Sequence, residues 1–270
     1  MPVAKHVILF LIDGLRPDAL QQAHTPEIDR LVSQGTYSWQ GLTVTPSITL
    51  PCHTSLFTSM PPSCHGIIDN IWTPTSPPAL SLIDVLHQSG LSMAAFYSWE
   101  PLRDLFSLGA MDLAYYRKLE DTIDHQVSEI AQAAVAYLNK KMPAFTYIYL
   151  EAPDKIGHIH GWMSEPYLQA VNNADKAVGF VMESLHGSGF LNDTVCIVQA
   201  DHGGHDRDHS PGLTEDITIP WTISGPGIRS GYSITSPISI MDTAPTIAHL
   251  LGLPVPVEWR GRVVAEVLLS

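Results

Sequence analysis

The chain reads as an α/β protein with a mostly parallel central sheet and helices on both faces. Three observations predict this. Short apolar runs alternate with stretches of helical periodicity, the order that builds parallel sheets beneath crossover helices. The runs are continuous rather than alternating, as befits strands buried on both faces. Several of them stop on an acid or a histidine, at the carboxyl ends of the strands where open α/β sheets keep their ligands.

Taken in order, Val7 to Ile12 is an apolar run ending at Asp13-Gly14. Thr25-Pro26-Glu27 starts a helix, with Thr as cap, Pro at the first helical position and an acid in the first turn. That helix is expected to reach Gln34 and stop at Gly35. Thr49-Leu50-Pro51 opens a short helix through Thr58, and Leu80 to Gln88 is a second, closed by Ser89-Gly90. Ser92 to Tyr97 reads as a strand. Asp121 to Asn139 is helical, with Ile123, Val127, Ile130, Ala134 and Leu138 on one face. Phe145 to Leu150 is an aromatic and β-branched strand that runs into Glu151-Ala152-Pro153-Asp154. Tyr167 to Leu185 is a helix, Thr194 to Ala200 and Ile219 to Ser224 are strands, and Asp242 is expected to cap a last helix to Leu251.

The sequence has 270 residues and no linker, repeat or charge block, so residues 1–270 are expected to form one domain. A formal net charge of −13 argues against a nucleic-acid polymer as partner. If the substrate is anionic, bound divalent cations would reverse the local field, and 13 histidines fit that need. The three cysteines, Cys52, Cys64 and Cys196, have neither metal-type nor disulfide-framework spacing. The first apolar run is too short to span a bilayer. A cytoplasmic location without membrane attachment is the expectation.

Three strand ends carry ligand-type side chains: Asp13, Asp154 and the pair Asp201-His202. Alone, Asp201-His202 fits a turn with a surface imidazole as well as a metal site. Asp154 and His158 are four apart, so one helical turn puts both on one face; an unrelated loop Asp and surface His would leave the same letters. His205 and His209 follow, and either could complete a set with Asp154 and His158. In Pro46-Ser47-Ile48-Thr49-Leu50-Pro51-Cys52-His53, a hydroxyl at a helix N-terminus sits in a positive field that favours an alkoxide. Thr49 is the candidate nucleophile, a plain cap is the other reading, and Ser47 and Thr45 are competitors.

These residues resemble the alkaline phosphatase superfamily, in its type I phosphodiesterase/nucleotide pyrophosphatase branch. The likeness lies in Leu11-Ile12-Asp13-Gly14-Leu15-Arg16, Thr49-Leu50-Pro51-Cys52-His53, Cys64-His65-Gly66-Ile67, Ala152 to His158, and Ala200-Asp201-His202-Gly203. It runs on to Asp242-Thr243-Ala244-Pro245-Thr246-Ile247 and so covers nearly the whole chain. The chain looks like a short member without large insertions.

The resemblance implies two divalent cations, with Zn2+ expected and Mn2+ chemically allowed. Asp13, Thr49, Asp201 and His202 would hold one; Asp154, His158 and a later His would hold the other. Asp208-His209-Ser210, followed by Glu215 to Pro220, resembles short members and favours His209, with His205 as runner-up. Thr49 would form a phospho-threonine, while Asn70 and the backbone N–H near Leu50 would bind phosphoryl oxygens. His53 and His65 are read as structural or as orienting ligands. Lys155 meets a substrate charge or is simply solvated, His160 has no assigned role, and Trp72 and Trp99 stack on substrate or pack at the rim.

The activity implied is a metal-dependent phosphodiesterase/nucleotide pyrophosphatase acting on a small phosphorylated substrate. A phosphomonoesterase or phosphonate hydrolase is the alternative, and a non-catalytic metal-binding protein is further off. A sulfatase would need Cys or Ser where Thr49 stands and Arg where His53 stands. The segments Asn70 to Pro78 and Trp99 to Tyr116 are expected to wall the pocket.

Overall fold

The structure is a computed structural model that describes residues 2–73, 79–106, 109–118 and 123–269, with 123–128 as helix backbone alone. From the N-terminus the elements are β1 (His6–Ile12), α1 (Pro17–Gln22), α2 (Pro26–Gln34), β2 (Thr36–Leu42), α3 (Thr49–Thr58), α4 (Pro62–His65) and α5 (Leu82–Gln88). Next come β3 (Met93–Tyr97), β4 (Leu113–Tyr116), α6 (Ile123–Leu138), β5 (Phe145–Leu150), α7 (Ala152–His160) and α8 (Glu165–Ser188). The chain closes with β6 (Thr194–Gln199), α9 (Thr214–Ile217), β7 (Thr218–Ser224), β8 (Tyr232–Ser233), β9 (Ile238–Ser239) and α10 (Thr243–Leu250). No helix among the described residues is long and apolar enough to cross a membrane.

One sheet runs in the order β4-β3-β5-β1-β6-β7-β2-β8, with β9 also on β2. From β4 to β6 every pairing is parallel, while β7 is antiparallel to both β6 and β2. The expected mostly parallel sheet is therefore the observed one. Helices α2, α6, α7 and α8 pack together on one side; α3, α5 and α10 pack together on the other. Residues Val7 to Ile12 of β1 are entirely buried, which for each large side chain stabilises by about 1.5–3 kcal/mol relative to exposure. Strands β2 and β4 were not legible as apolar runs. The polar pattern of β2 belongs to a strand near the sheet edge, with a register shift between Ser38 and Gly41.

Two helix starts differ from expectation. The Thr25 hydroxyl donates to Leu20 O rather than accepting from α2. The N–H groups of Glu27 and Ile28 are taken instead by Asp175 of α8, at 3.3 and 2.7 Å. Asp242 does not cap α10 with its side chain; its carboxylate accepts from Ser239 N and Arg262 N. In both cases a tertiary partner claims the group that a local rule would have assigned. Of the helical stripe expected over Asp121 to Asn139, Ile130, Ala134 and Leu138 are buried; Asp121 and the side chains of Ile123 and Val127 lie outside the described residues.

Candidate metal centre and nucleophile

β1 lies between β5 and β6, with Ile12 opposite Leu150 and Leu11 opposite Gln199. This register brings the residues that follow three strands to one place. Asp13 N–H closes the β1–β5 ladder on Leu150 O at 3.0 Å. Gly14 then turns at φ +65°, and a Cβ there would lie 3.0 Å from Asp154 Cα. Only glycine lets the β1 and β5 ends approach this closely.

Asp13, buried to 1% exposure, accepts the Tyr149 hydroxyl on Oδ2. Asp201 Oδ1 accepts from the backbone of Gly14 at 3.2 Å and of His202 at 2.9 Å. Asp154 and His158 occupy successive turns of α7, with Nε2 3.5 Å from Oδ1. His209 brings its Nε2 to 3.7 Å from the same oxygen. His202 Nε2 stands 3.3 Å from Asp13 Oδ1 and 3.5 Å from Asp201 Oδ2. The ligand-type atoms of Asp154, His158 and His209 lie within 4.8 Å of one another, and so do those of Asp13, Asp154 and His202. Asp154 thus belongs to both groups and stands where they meet.

The chemistry of this cluster fits a cation. All three histidines direct Nδ1 at a backbone carbonyl: His202 at Gly203 O (2.8 Å), His209 at Ser47 O (2.6 Å) and His158 at Arg207 O (3.0 Å). A carbonyl only accepts, so each Nδ1 carries the proton and each Nε2 presents a lone pair. Those lone pairs face carboxylates. Asp13 Oδ1, Asp154 Oδ1 and Asp201 Oδ2 are buried and have no hydrogen-bond partner. Lone pairs facing unpaired carboxylates repel unless positive charge lies between them. The donors are oxygen and imidazole nitrogen with no thiolate, a mixture that suits Zn2+ or Mn2+.

Electrostatics agree. Burial, then the neighbouring Asp201 and Asp154, pushes the Asp13 carboxyl well above its usual range. Burial, then Asp201 and Glu151, does the same to Asp154. Burial also raises Asp201 against the opposing pull of His53. It lowers His202 to about 4 and, joined by His202, lowers His209 to about 3, so both rings are neutral at pH 7.

Thr49 is the first residue of α3, and its hydroxyl donates to His202 Nε2 at 3.3 Å. The competing Ser47 hydroxyl is engaged, donating to His209 O at 2.6 Å. With the His209 Nδ1–H bond to Ser47 O, this forms a two-way lock between the segments carrying Thr49 and His209. Leu50 N–H, expected to face a phosphoryl oxygen, donates to Asn70 Oδ1 at 3.0 Å. The amide of Asn70 therefore satisfies the helix start, and its NH2 is the group left to face outward.

His53 sits behind Thr49, Nδ1–H donating to Thr49 O and Nε2 accepting from Tyr147 OH, each at 2.8 Å. His65 is held by Ser55 and Ile67 N. His205 pairs with buried Asp216 at 2.7 Å and takes no part in the cluster. Cys52 Sγ is a partner of Thr43 in the core. Trp72 and Trp99 are partly buried against the core. Of the expected pocket walls, residues 74–78 and 107–108 lie outside the described residues.

A profile of the type I phosphodiesterase/nucleotide pyrophosphatase family matches residues 7–218. The chain belongs to this family. Ectonucleotide pyrophosphatase/phosphodiesterase family member 3 of Rattus norvegicus is 31% identical over 223 residues, covering 73% of this chain and 24% of that protein. Venom phosphodiesterase 2 of Crotalus adamanteus is 28% identical over 217 residues, covering 73% of this chain and 26% of that protein. The chain thus spans about a quarter of the length of these curated relatives. Among solved structures, an inactive murine ectonucleotide pyrophosphatase/phosphodiesterase 5 in complex with AMP superposes with a TM-score of 0.81 at 16% identity, covering 98% of this chain and 100% of that one. At that identity the likeness is one of fold, the alkaline phosphatase-like α/β fold.

Proposed function

We propose that this chain is a metal-dependent phosphoric ester hydrolase of the phosphodiesterase/nucleotide pyrophosphatase type, with Thr49 as nucleophile. The observation that carries the reading is the set of three orphaned carboxylate oxygens and three Nε2 atoms converging beside the Thr49 hydroxyl. Asp13, Thr49, Asp201 and His202 would hold one divalent cation, and Asp154, His158 and His209 the other, with Asp154 between them. Bound there, divalent cations supply Lewis acidity toward phosphoryl oxygens and compensate the carboxylate charge.

Thr49 Oγ gives up its proton to solvent and attacks phosphorus; a P–O bond forms to the side chain, and the ester oxygen leaves with the electron pair and takes a proton from water. Water then cleaves the phospho-threonine and restores the hydroxyl. His202, neutral and held low at about 4, is too weak a base to deprotonate a threonine unaided. Its place next to Thr49 supports a ligand role instead. The NH2 of Asn70 would bind a non-bridging oxygen at the start of α3, where the helix dipole also favours negative charge. The relatives are named for nucleotide pyrophosphate and phosphodiester substrates, and a structural neighbour holds AMP, so we take a small phosphorylated compound such as a nucleotide as substrate. Exposed, unpaired Cys64 is at home in a reducing compartment, which supports a cytoplasmic location.

The test is hydrolysis of bis(p-nitrophenyl) phosphate, p-nitrophenyl phosphate and a nucleotide phenyl ester by Zn2+- or Mn2+-loaded protein, with and without chelator. Chelator-sensitive preference for the diesters is expected. Preference for the monoester would move the assignment to a phosphomonoesterase, and no metal-dependent turnover of any would leave a binding protein.

A further inference from the structure

Trp162 lies in the turn between α7 and α8, and nothing in its sequence context marks it. It is 6% exposed and touches every backbone segment that carries a carboxylate or imidazole of the centre. Its Nε1–H donates to Gly14 O, the residue after Asp13, at 2.8 Å. Its own N–H donates to Asp206 O at 2.7 Å, in the turn that leads to His209. The indole meets the His158 ring nearly edge-on, with centroids 5.1 Å apart at 84°, and the His209 ring at 5.9 Å and 68°.

Two glycines exist in forms that only this indole explains. A Cβ on Gly157, one residue before His158, would lie 2.7 Å from the ring; one on Gly204, two after His202, would lie 2.2 Å from it. Real Cβ atoms do not approach so closely, so α7 and the Asp201-His202 segment are both moulded on Trp162. The hydrogen bonds at Nδ1 fix the tautomers of His158 and His209, but one hydrogen bond leaves a ring free to swing about it. The indole removes that freedom from the His158 ring and, with the His202 ring stacked at 3.9 Å on the other ring, from His209.

We propose that Trp162 is the positioning residue for the Asp154–His158–His209 cation site, holding the two imidazole planes so that both Nε2 atoms face Asp154. The inference rests on the two-cation reading of the centre. Its effect on ring orientation belongs on that half, because the indole meets the His158 and His209 rings, whereas the His202 ring has both nitrogens engaged, by Gly203 O and by the Thr49 hydroxyl. Removing an outer partner of a metal-bound histidine costs about 10–100-fold in metal affinity.

Trp162→Phe keeps an aromatic ring, and Gly14 O retains the Tyr167 hydroxyl as donor at 2.8 Å, so no buried carbonyl is orphaned. Trp162→Leu fills apolar volume without an aromatic face. Metal-stripped wild type and both variants are titrated with Zn2+ by calorimetry, with stoichiometry read by elemental analysis. Wild type is expected to take up two equivalents. The Phe variant should bind one as wild type does and the other about 10-fold more weakly; the Leu variant should weaken the second about 100-fold.

Equal weakening of both equivalents, or wild-type binding by both variants, overturns the assignment. Uptake of fewer than two equivalents by wild type overturns the two-cation reading and this inference with it. A measurement that needs no variant is 19F NMR of wild type carrying 5-fluorotryptophan. At least one of the six tryptophan resonances should shift in step with one of the two Zn2+ equivalents, and a spectrum unmoved by Zn2+ would sink the proposal.

Discussion

Asp13, Asp201 and His202 are sealed at the ends of β1 and β6, their side chains at most 2% exposed. Asp154, His158 and His209 stand instead on a helix and a turn, with side-chain exposures of 15%, 42% and 9%. The first group is placed by strand pairing, since the register that builds the core also sets the carboxylates. The second is placed by packing: an indole, two carbonyls from Ser47 and Arg207, and a glycine before His158. The first half is therefore costly to perturb and bound up with folding, while the second can be changed with the sheet intact.

The largest expected effect separates chemistry from both halves. Thr49→Ala should lower turnover by roughly 10^3-fold or more while elemental analysis still finds both cations bound. A variant that turns over near the wild-type rate would remove Thr49 as nucleophile. The next compares the halves directly. His209→Ala should lose one metal equivalent and leave thermal unfolding of the cation-free protein within a few degrees of wild type. His202→Ala should lose the other equivalent and also lower the unfolding temperature, because it opens a cavity among buried carboxylates. Identical unfolding behaviour in the two variants would erase the distinction drawn between sheet-placed and packing-placed ligands.

The smallest effect lies outside both halves and calibrates them. Asp175 reaches α2 from α8, and burial raises its carboxyl from 3.8 to about 6. The folded state thus binds this proton more tightly than the unfolded chain. The associated stability is fully present below about pH 4 and is lost as the pH rises through about 6. Asp175→Asn keeps an acceptor for Ile28 N–H and does not ionise. Urea unfolding should show the variant gaining on the order of 1–2 kcal/mol over wild type between pH 4.5 and pH 7. A difference that stays constant over that window would show that the charge of Asp175 does not matter.

Much of this protein is legible one segment at a time. β1, β3, β5, β6 and β7 are apolar runs, and the ending of three of them on Asp13, on Asp154 one turn further, and on Asp201-His202 marks the candidate site before any fold is known. The Asp154–His158 spacing holds because α7 is a helix. What escapes a segment-by-segment reading depends on partners far along the chain. β2 is polar in pattern, and only its pairing with β7, β8 and β9 makes it a strand. Thr25 looks like a cap until Asp175 claims the α2 amides. Leu50 looks free until Asn70 occupies its N–H.

Residue type and strand-end position by themselves determined the fold class and the candidate oxygen and nitrogen donors, and the order of the motifs pointed to the family, because burial on both faces and ligand chemistry are local demands on composition. Tertiary structure alone decided that Asp154 belongs to both groups and that Trp162 is wedged among them, and it brings His209, which the resemblance favoured over His205, to Asp154. Hydrogen bonds and ring packing act over a few ångströms, and only the folded sheet brings segments so far apart in sequence within that range.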